Sequence, residues 1–298
     1  MSSDATAAVS PDNQPDSAWS DLPRLGVGFG FRAPYRADVF LHAGDVDFLE
    51  VTADHYFDVP AEKLDELELL RNRFPLIPHG LSLSLGSANG PRPDYVRKLA
   101  ALVESLRPPW WSEHIAFTQA GSGNIGHLAP LPLTRDSLAI LQRNIRSVRQ
   151  EIPGPLILEN ITYEVTYPWS DLDEASFLGE LLDSAGCGLL LDVTNLYTNS
   201  VNHGFDPLRF LQRLPADRIV QLHFVGGHWR DGVLIDSHSR PTPPEVWQLL
   251  EEVVKFAPVK GLILERDENL PPFAEILDEL QHVRELWRQH QPTVETSR

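Results

Sequence analysis

The stretch EASFLGELLDSAGCGLLLDVTN, residues 174–195, holds one helix-to-strand unit of the fold. Its first half is amphipathic and stops at Gly186, a residue that tolerates the left-handed backbone on which helices end. Its second half, GLLLDVTN, is a short apolar run that closes on two polar residues, Asp192 and Asn195. A run that is continuously apolar, rather than alternating, marks a parallel strand covered on both faces.

The same unit recurs along the chain. Apolar runs of strand length begin near residues 25, 46, 75, 110, 155, 188, 219 and 261, and read LGVGFG, VDFLEVT, PLIPHGLSL, WWSEHIAF, PLILENI, GLLLDVTN, IVQLHFVGG and GLILERD. Amphipathic segments lie between most of them. Residues 61–74 place Leu64, Leu67 and Leu70 to Phe74 on one helical face, and residues 93–106 do the same with Val96, Leu99, Leu102 and Val103. Thr134 is a good N-cap for the segment it opens. Prolines open PPEVWQLLEEVVKF and PPFAEILDELQHVRELWRQH, where the first helical turn tolerates them. Eight strands alternating with helices predict an α/β fold, a single (β/α)8 TIM barrel over residues 23–290. An open doubly wound sheet is the competing arrangement. GVGFGF has glycines, but no GxGxxG phosphate loop follows. Residues 1–22, rich in Ser, Asp, Ala and Pro, read as a disordered tail, and residues 291–298 as a short polar tail.

Of the 298 residues, 42% are hydrophobic and 22% charged, values of a soluble globular protein with a sizeable core. The net charge of −17 repels phosphate backbones, so no nucleic-acid partner is expected. No stretch approaches the roughly 18 apolar residues that span a bilayer. The N-terminus lacks the basic and apolar regions of a secretory signal, so the expected place is the cytoplasm, away from membranes. Cys187 stands alone, which excludes an intrachain disulfide and a cysteine-rich zinc site. It reads as a small buried residue rather than a nucleophile.

The chemistry lies in what ends the apolar runs. His79 ends PLIPH, His114 ends WWSEH, Glu159 ends PLILE, His223 ends IVQLH and Glu265 ends GLILE; Asp192 and Asn195 close GLLLDVTN, and Asp236 and His238 lie in LIDSH after the seventh strand. In a barrel those ends converge on one face, where catalytic sites are found. Four carboxylates crowded into one pocket repel each other unless cations neutralise them. Nitrogen and oxygen donors without sulfur suit zinc, iron or manganese. Nine donors are too many for one such ion and fit two or three. Asp236 and His238, two apart on an extended segment, share a face and can reach one ion.

This order of donors resembles the trinuclear site of endonuclease IV and of the xylose-isomerase-like barrels. The phrases HGLSLSLG (79–86), SEHIAF (112–117), LAPLPLT (128–134), LILEN (156–160), LIDSHSRP (234–241) and LILERDENLPP (262–272), with FLGELLDSAGCGLLLDVTNLY (177–197), resemble more closely a family of multinuclear non-heme iron-dependent oxidative enzymes, the MbnB/TglH-like proteins. The likeness covers roughly residues 25–280. It implies that His79, His114, Glu159, Asp192, Asn195, His223, Asp236, His238 and Glu265 are the metal ligands, with Asp192, His223 and His238 catalytic. Asn195 is what the oxidative family has where an endonuclease IV has histidine. The resemblance further implies two or three irons, a mixed-valence Fe(II)/Fe(III) pair that activates O2, and oxidation of a residue, often cysteine, in a ribosomally made precursor peptide. A small partner protein that binds the leader peptide is expected. Two segments depart from the family pattern: Asp54-His55-Tyr56, and FVGGH (224–228), one residue longer than usual. Asp54, His55, Asn160 and His228 are candidate substrate contacts, and the segments 118–132 and 162–174 candidate walls of the substrate mouth. A divalent-metal hydrolase or a sugar isomerase of the same barrel class is the alternative reading. Glu159 and Glu265 could serve the latter.

Overall fold

The computed structural model describes residues 17–121 and 123–290. Both predicted tails fall largely outside that range. Within the first of them, however, α1 (Ser17–Ser20) is helical and Trp19 is only 2% exposed. Ordered structure therefore reaches into the segment read as a disordered tail, because one large apolar ring there finds a place in the core.

The expected barrel is what forms. Strands β1 (Gly26–Gly30), β2 (Phe48–Thr52), β3 (Leu76–His79), β4 (Trp111–His114), β7 (Leu156–Glu159), β8 (Gly188–Asp192), β9 (Ile219–Phe224) and β12 (Gly261–Leu264) pair side by side, and β1 closes the ring by pairing in parallel with both β2 and β12. Two antiparallel hairpins, β5 (Phe117–Ala120) with β6 (Gly123–Ala129) and β10 (Gly226–Arg230) with β11 (Val233–Arg240), follow the C-terminal ends of β4 and β9. The helices are α2 (Arg36–Leu41), α3 (Ala61–Arg71), α4 (Pro93–Leu106), α5 (Arg135–Arg149), α6 (Glu174–Ala185), α7 (Val193–His203), α8 (Pro207–Leu211), α9 (Pro244–Phe256) and α10 (Phe273–Gln289). Thr134 caps α5 by accepting from the Ser137 amide, and Gly186 ends α6 with φ +62°. On α4 the predicted face is buried as expected. On α3, Leu67 and Leu70 are buried, as is Phe74 just beyond it, but Leu64 is 48% exposed. Glu66 is buried there instead, paired with Arg36 and Lys63.

Strand alternation sorts the core into two layers. Phe48, Ile77, Ile157, Leu190 and Ile263 form one cluster with Trp19, Trp110 and Val220. Their strand neighbours Leu49, Leu76, Leu158, Leu191 and Leu262 pack instead with the helices. Two residues beyond the first five, on the same strand faces, stand Glu50, His79, Glu159, Asp192 and Glu265. The polar layer thus rests on an apolar floor. Gly28 is required beside it: a Cβ at that position would lie 2.1 Å from the Phe48 carbonyl oxygen.

Candidate metal centre

Each predicted histidine is held by one ring nitrogen, and the other faces a carboxylate. His79 Nδ1 is 2.8 Å from Ser112 Oγ, and its Nε2 is 3.3 Å from Glu159 Oε2. His114 Nδ1 donates to the Gly80 carbonyl at 3.1 Å, which leaves Nε2 3.4 Å from the same Glu159 oxygen. His223 Nδ1 lies 2.9 Å from Glu265 Oε2 and 3.4 Å from Glu159 Oε1. His238, on β11, has Nε2 2.9 Å from Asp236 Oδ1 and Nδ1 3.6 Å from Glu265 Oε2. Its φ of +50° is a costly backbone state for a residue with a Cβ, of the kind that clusters at functional sites. Asp192 caps α7 through Oδ1, which accepts from the Asn195 amide at 2.7 Å. The Asn195 Nδ2 donates to the Asn160 carbonyl at 3.0 Å.

Eight of the nine candidate donors are thus brought together, and Asn195 adjoins them through its backbone amide on Asp192. Seven of their buried atoms make no well-aligned hydrogen bond: His79 Nε2, Glu159 Oε2, Asp192 Oδ2, Asn195 Oδ1, His223 Nδ1, Asp236 Oδ1 and Glu265 Oε2. Leaving such atoms unsatisfied in the interior is expensive. Five of these residues also converge: His79 and Glu159 form one group with His114, with donor atoms within 4.8 Å of one another, and Glu159, Asp192, His223 and Glu265 form another. Shared by both groups, Glu159 is placed to bridge. The residues fit divalent cations held by nitrogen and oxygen.

The electrostatics agree with that fit. Burial would lower the pKa of His114, but Glu159 and Glu113 prevail and hold it at about 9. His223 and His238 are likewise held well above the usual imidazole range against their burial, the first by Glu50 and Glu265, the second by Asp236 and Glu265. Burial is outweighed again at Glu265, which His223 and His238 keep well below the usual carboxylate range. Asp192 moves the other way: burial, then Asp236 and Glu159, push it well up. Protons stand in this cluster where cations would otherwise balance the charge.

Residues 26–288 match the family described as RiPP precursor modification enzyme MbnB/TglH/ChrH. The chain belongs to this family. Among MbnB/TglH/ChrH-like relatives, the UPF0276 protein of Caulobacter vibrioides is 38% identical over 267 residues, covering 89% of this chain and 95% of its own. That of Rhizorhabdus wittichii is 38% identical over 276 residues, covering 91% and 98%. Solved structures with the same barrel include a D-psicose 3-epimerase from Clostridium cellulolyticum, with TM-score 0.58, 12% identity and coverage of 89% and 99%. Another is endonuclease IV from Thermus thermophilus, with TM-score 0.55, 14% identity and coverage of 89% and 100%. At such identities the likeness concerns the fold alone.

The four candidate substrate contacts of this family member divide in two. Asp54 Oδ2 accepts from the Leu81 amide at 3.0 Å and from the Tyr95 hydroxyl at 2.7 Å, a brace between loops. Asn160 spends both ends of its amide on the Asp192 backbone, at 2.9 and 3.1 Å. His55 stays exposed at the rim. His228, on β10, is half-buried with Nδ1 2.9 Å from Ser237 Oγ. The extra residue of FVGGH falls where the β10–β11 register slips between Gly226 and His228, and Gly227 there leaves no room for a Cβ, 2.2 Å from the Ile235 carbonyl oxygen.

A cavity of about 530 Å³ is lined by none of the nine candidate donors but by Ile115 and Asn160, the residues that follow His114 and Glu159, together with Phe205 and Arg213. Both segments expected at the substrate mouth contribute to it, through Pro130 and Leu131 and through Tyr163 to Asp173. Its one strongly shifted acid is Glu174, pushed up to about 7 by burial although the Tyr163 hydroxyl donates to it at 3.0 Å. Cys187 is buried and its thiol is pushed up to about 12, which suits packing and not nucleophilic attack.

Sequence reasoning passed over three carboxylates at the centre. Glu50, 3% exposed on β2, faces His223 Nε2 at 3.0 Å. Glu113 Oε1 lies 3.3 Å from His114 Nδ1. Asp267 Oδ2 lies 3.2 Å from His238 Nδ1 and also pairs with Arg32. An acid flanked by apolar residues, Glu50 in FLEVT, was the signal for the first.

Proposed function

We propose that the protein is a multinuclear iron enzyme that uses O2 to oxidise a residue, cysteine foremost, of a ribosomally made precursor peptide. The observation that carries this reading is the set of seven buried, unsatisfied donor atoms among the candidate ligands, five of them on residues that converge, in a member of a precursor-modifying family. His79, His114, Glu159, Asp192, Asn195, His223, Asp236, His238 and Glu265 would hold two or three ions. Bound iron would supply one-electron chemistry toward O2 at an open coordination position.

The rest is the work of the chain. Glu159 faces His79, His114 and His223, so it would serve whatever ions those histidines hold. Asp236 and His238 sit on a hairpin rather than on the barrel wall. They are the donors best able to yield a position to substrate or O2. The apolar cavity beside Ile115 would take the peptide flanking the modified residue and exclude water from the centre. His55 and His228 remain as rim contacts for that peptide. A small partner protein that binds the leader completes the proposal. Among the described residues no helix is long and apolar enough to cross a membrane.

The first measurement is metal content by mass spectrometry after anaerobic purification, with Mössbauer spectroscopy on iron-labelled protein. Two or more irons per chain with a coupled pair are expected, and His238→Ala should lose much of that iron. Zinc or manganese without iron, from cells grown in iron-rich medium, would sink the oxidative reading and favour a hydrolase or isomerase.

A further inference from the structure

Beside His223, three polar side chains from distant parts of the sequence meet inside the barrel. Trp110 and Gln221 are fully buried and Glu50 is 3% exposed. Such groups are tolerated in the interior only when their hydrogen bonds are made, and here the bonds have a direction. An indole nitrogen can only donate. Trp110 Nε1 donates to Gln221 Oε1 at 2.8 Å, so the amide oxygen of Gln221 points to the indole and its nitrogen points away. Gln221 Nε2 then donates to Glu50 Oε2 at 2.6 Å. An ionised carboxylate only accepts. Both Glu50 oxygens lie close to His223 Nε2, at 3.0 and 3.1 Å, so that nitrogen carries the hydrogen. Gln221 Nε2 and His223 Nε2 approach to 3.2 Å as two donors converging on one acceptor.

We infer that Trp110, Gln221 and Glu50 are positioning residues: a one-way hydrogen-bond relay that leaves the lone pair of His223 on Nδ1, the atom that faces Glu159 and Glu265. This rests on the metal-centre reading and adds to it. It also makes His223 the reverse of its neighbours. His79 and His114 are anchored through Nδ1 and present Nε2, whereas His223 is anchored through Nε2 and presents Nδ1. A carboxylate hydrogen-bonded to the far nitrogen of a ligating histidine sets its orientation and raises its basicity. Glu50 comes within 4.8 Å of donor atoms of His79 and Glu265, so direct ligation by Glu50 is the competing arrangement.

The experiment uses the full chain loaded with Zn(II), a diamagnetic stand-in, with nitrogen-15 in its histidines. Nuclear magnetic resonance should show His223 bound to metal through Nδ1 with Nε2 protonated, and the opposite pattern at His79 and His114. Glu50→Gln cannot accept from two donors with its amide nitrogen. It should weaken zinc binding in a chelator competition by about 10- to 100-fold with the number of ions per chain unchanged. Trp110→Phe, which only frees Gln221 to turn over, should weaken it less. Metal bound to His223 through Nε2 overturns the relay, and so does wild-type affinity in Glu50→Gln. Loss of one whole ion from Glu50→Gln makes Glu50 a ligand and likewise overturns it. If that variant does not fold, the wild-type spectrum decides alone. A wild-type chain that binds no divalent ion overturns the metal-centre reading itself, an outcome distinct from the others.

Discussion

Asn195 shows how much one side chain can be asked to do. Its backbone amide completes the α7 cap, its Nδ2 satisfies the Asn160 carbonyl, and its buried Oδ1 is left without a hydrogen bond. Replacement by aspartate keeps the shape but removes the donor and adds a charge beside Asp192, whose proton is already hard to remove. Asn195→Asp should lower the stability of the metal-free protein by about 1–3 kcal/mol, the cost of an orphaned acceptor. The loss should be smaller with metal bound, because the ion offsets the added charge. Denaturant midpoints with and without metal measure this; an equal loss in both states would mean that Oδ1 does not face an ion. The nine candidate donors were legible because nearly all close their apolar runs, where a polar side chain is conspicuous. Glu50 was not, because Val51 and Thr52 carry its strand onward. Only the closed barrel, which brings His223 on β9 across to the Glu50 carboxylate, reveals its place.

Elements explain why the barrel could be read and its rim could not. Each barrel strand is buried on both faces, so its sequence is continuously apolar and stands out. The hairpins are half-exposed and rich in glycine and polar residues, with Gly123, Gly126, Gly226 and Gly227 among them. Residues 118–132 therefore read as a loop although β6 runs through them. The short helix α1 was missed for a related reason: its only large apolar residue is Trp19, and a single residue sets no period. Trp19 nevertheless closes the floor of the barrel, so near Gly188 that a Cβ there would lie 2.8 Å from its ring. Trp19→Ala should cost about 3–5 kcal/mol of stability, as for other large buried aromatics. Thermal unfolding tests it. A loss under about 1 kcal/mol, the range of a surface change, would show that the floor is sealed without α1.

At the scale of the whole molecule, folding and metal loading compete for the same protons. His114 titrates at about 9 in the metal-free fold against 6.5 for the free side chain. A raised pKa means that the folded state holds the proton more tightly than the unfolded one. The resulting stability is fully present below pH 6.5 and is lost as the pH rises through about 9. His223, His238 and Asp192 are shifted in the same direction and reinforce the trend. Glu265 is shifted the opposite way, but its contribution disappears only in acid, outside this window. A divalent ion must displace the ring protons, so its affinity rises with pH as they become easier to remove. The metal-free protein should therefore melt at progressively lower temperature from pH 6.5 to 9, while the gain in melting temperature on adding metal grows over the same interval. Scanning calorimetry at fixed free metal across that range tests both slopes. A gain independent of pH would mean that the ions bind away from these histidines, and the cluster would then be held together by its own protons and ion pairs alone.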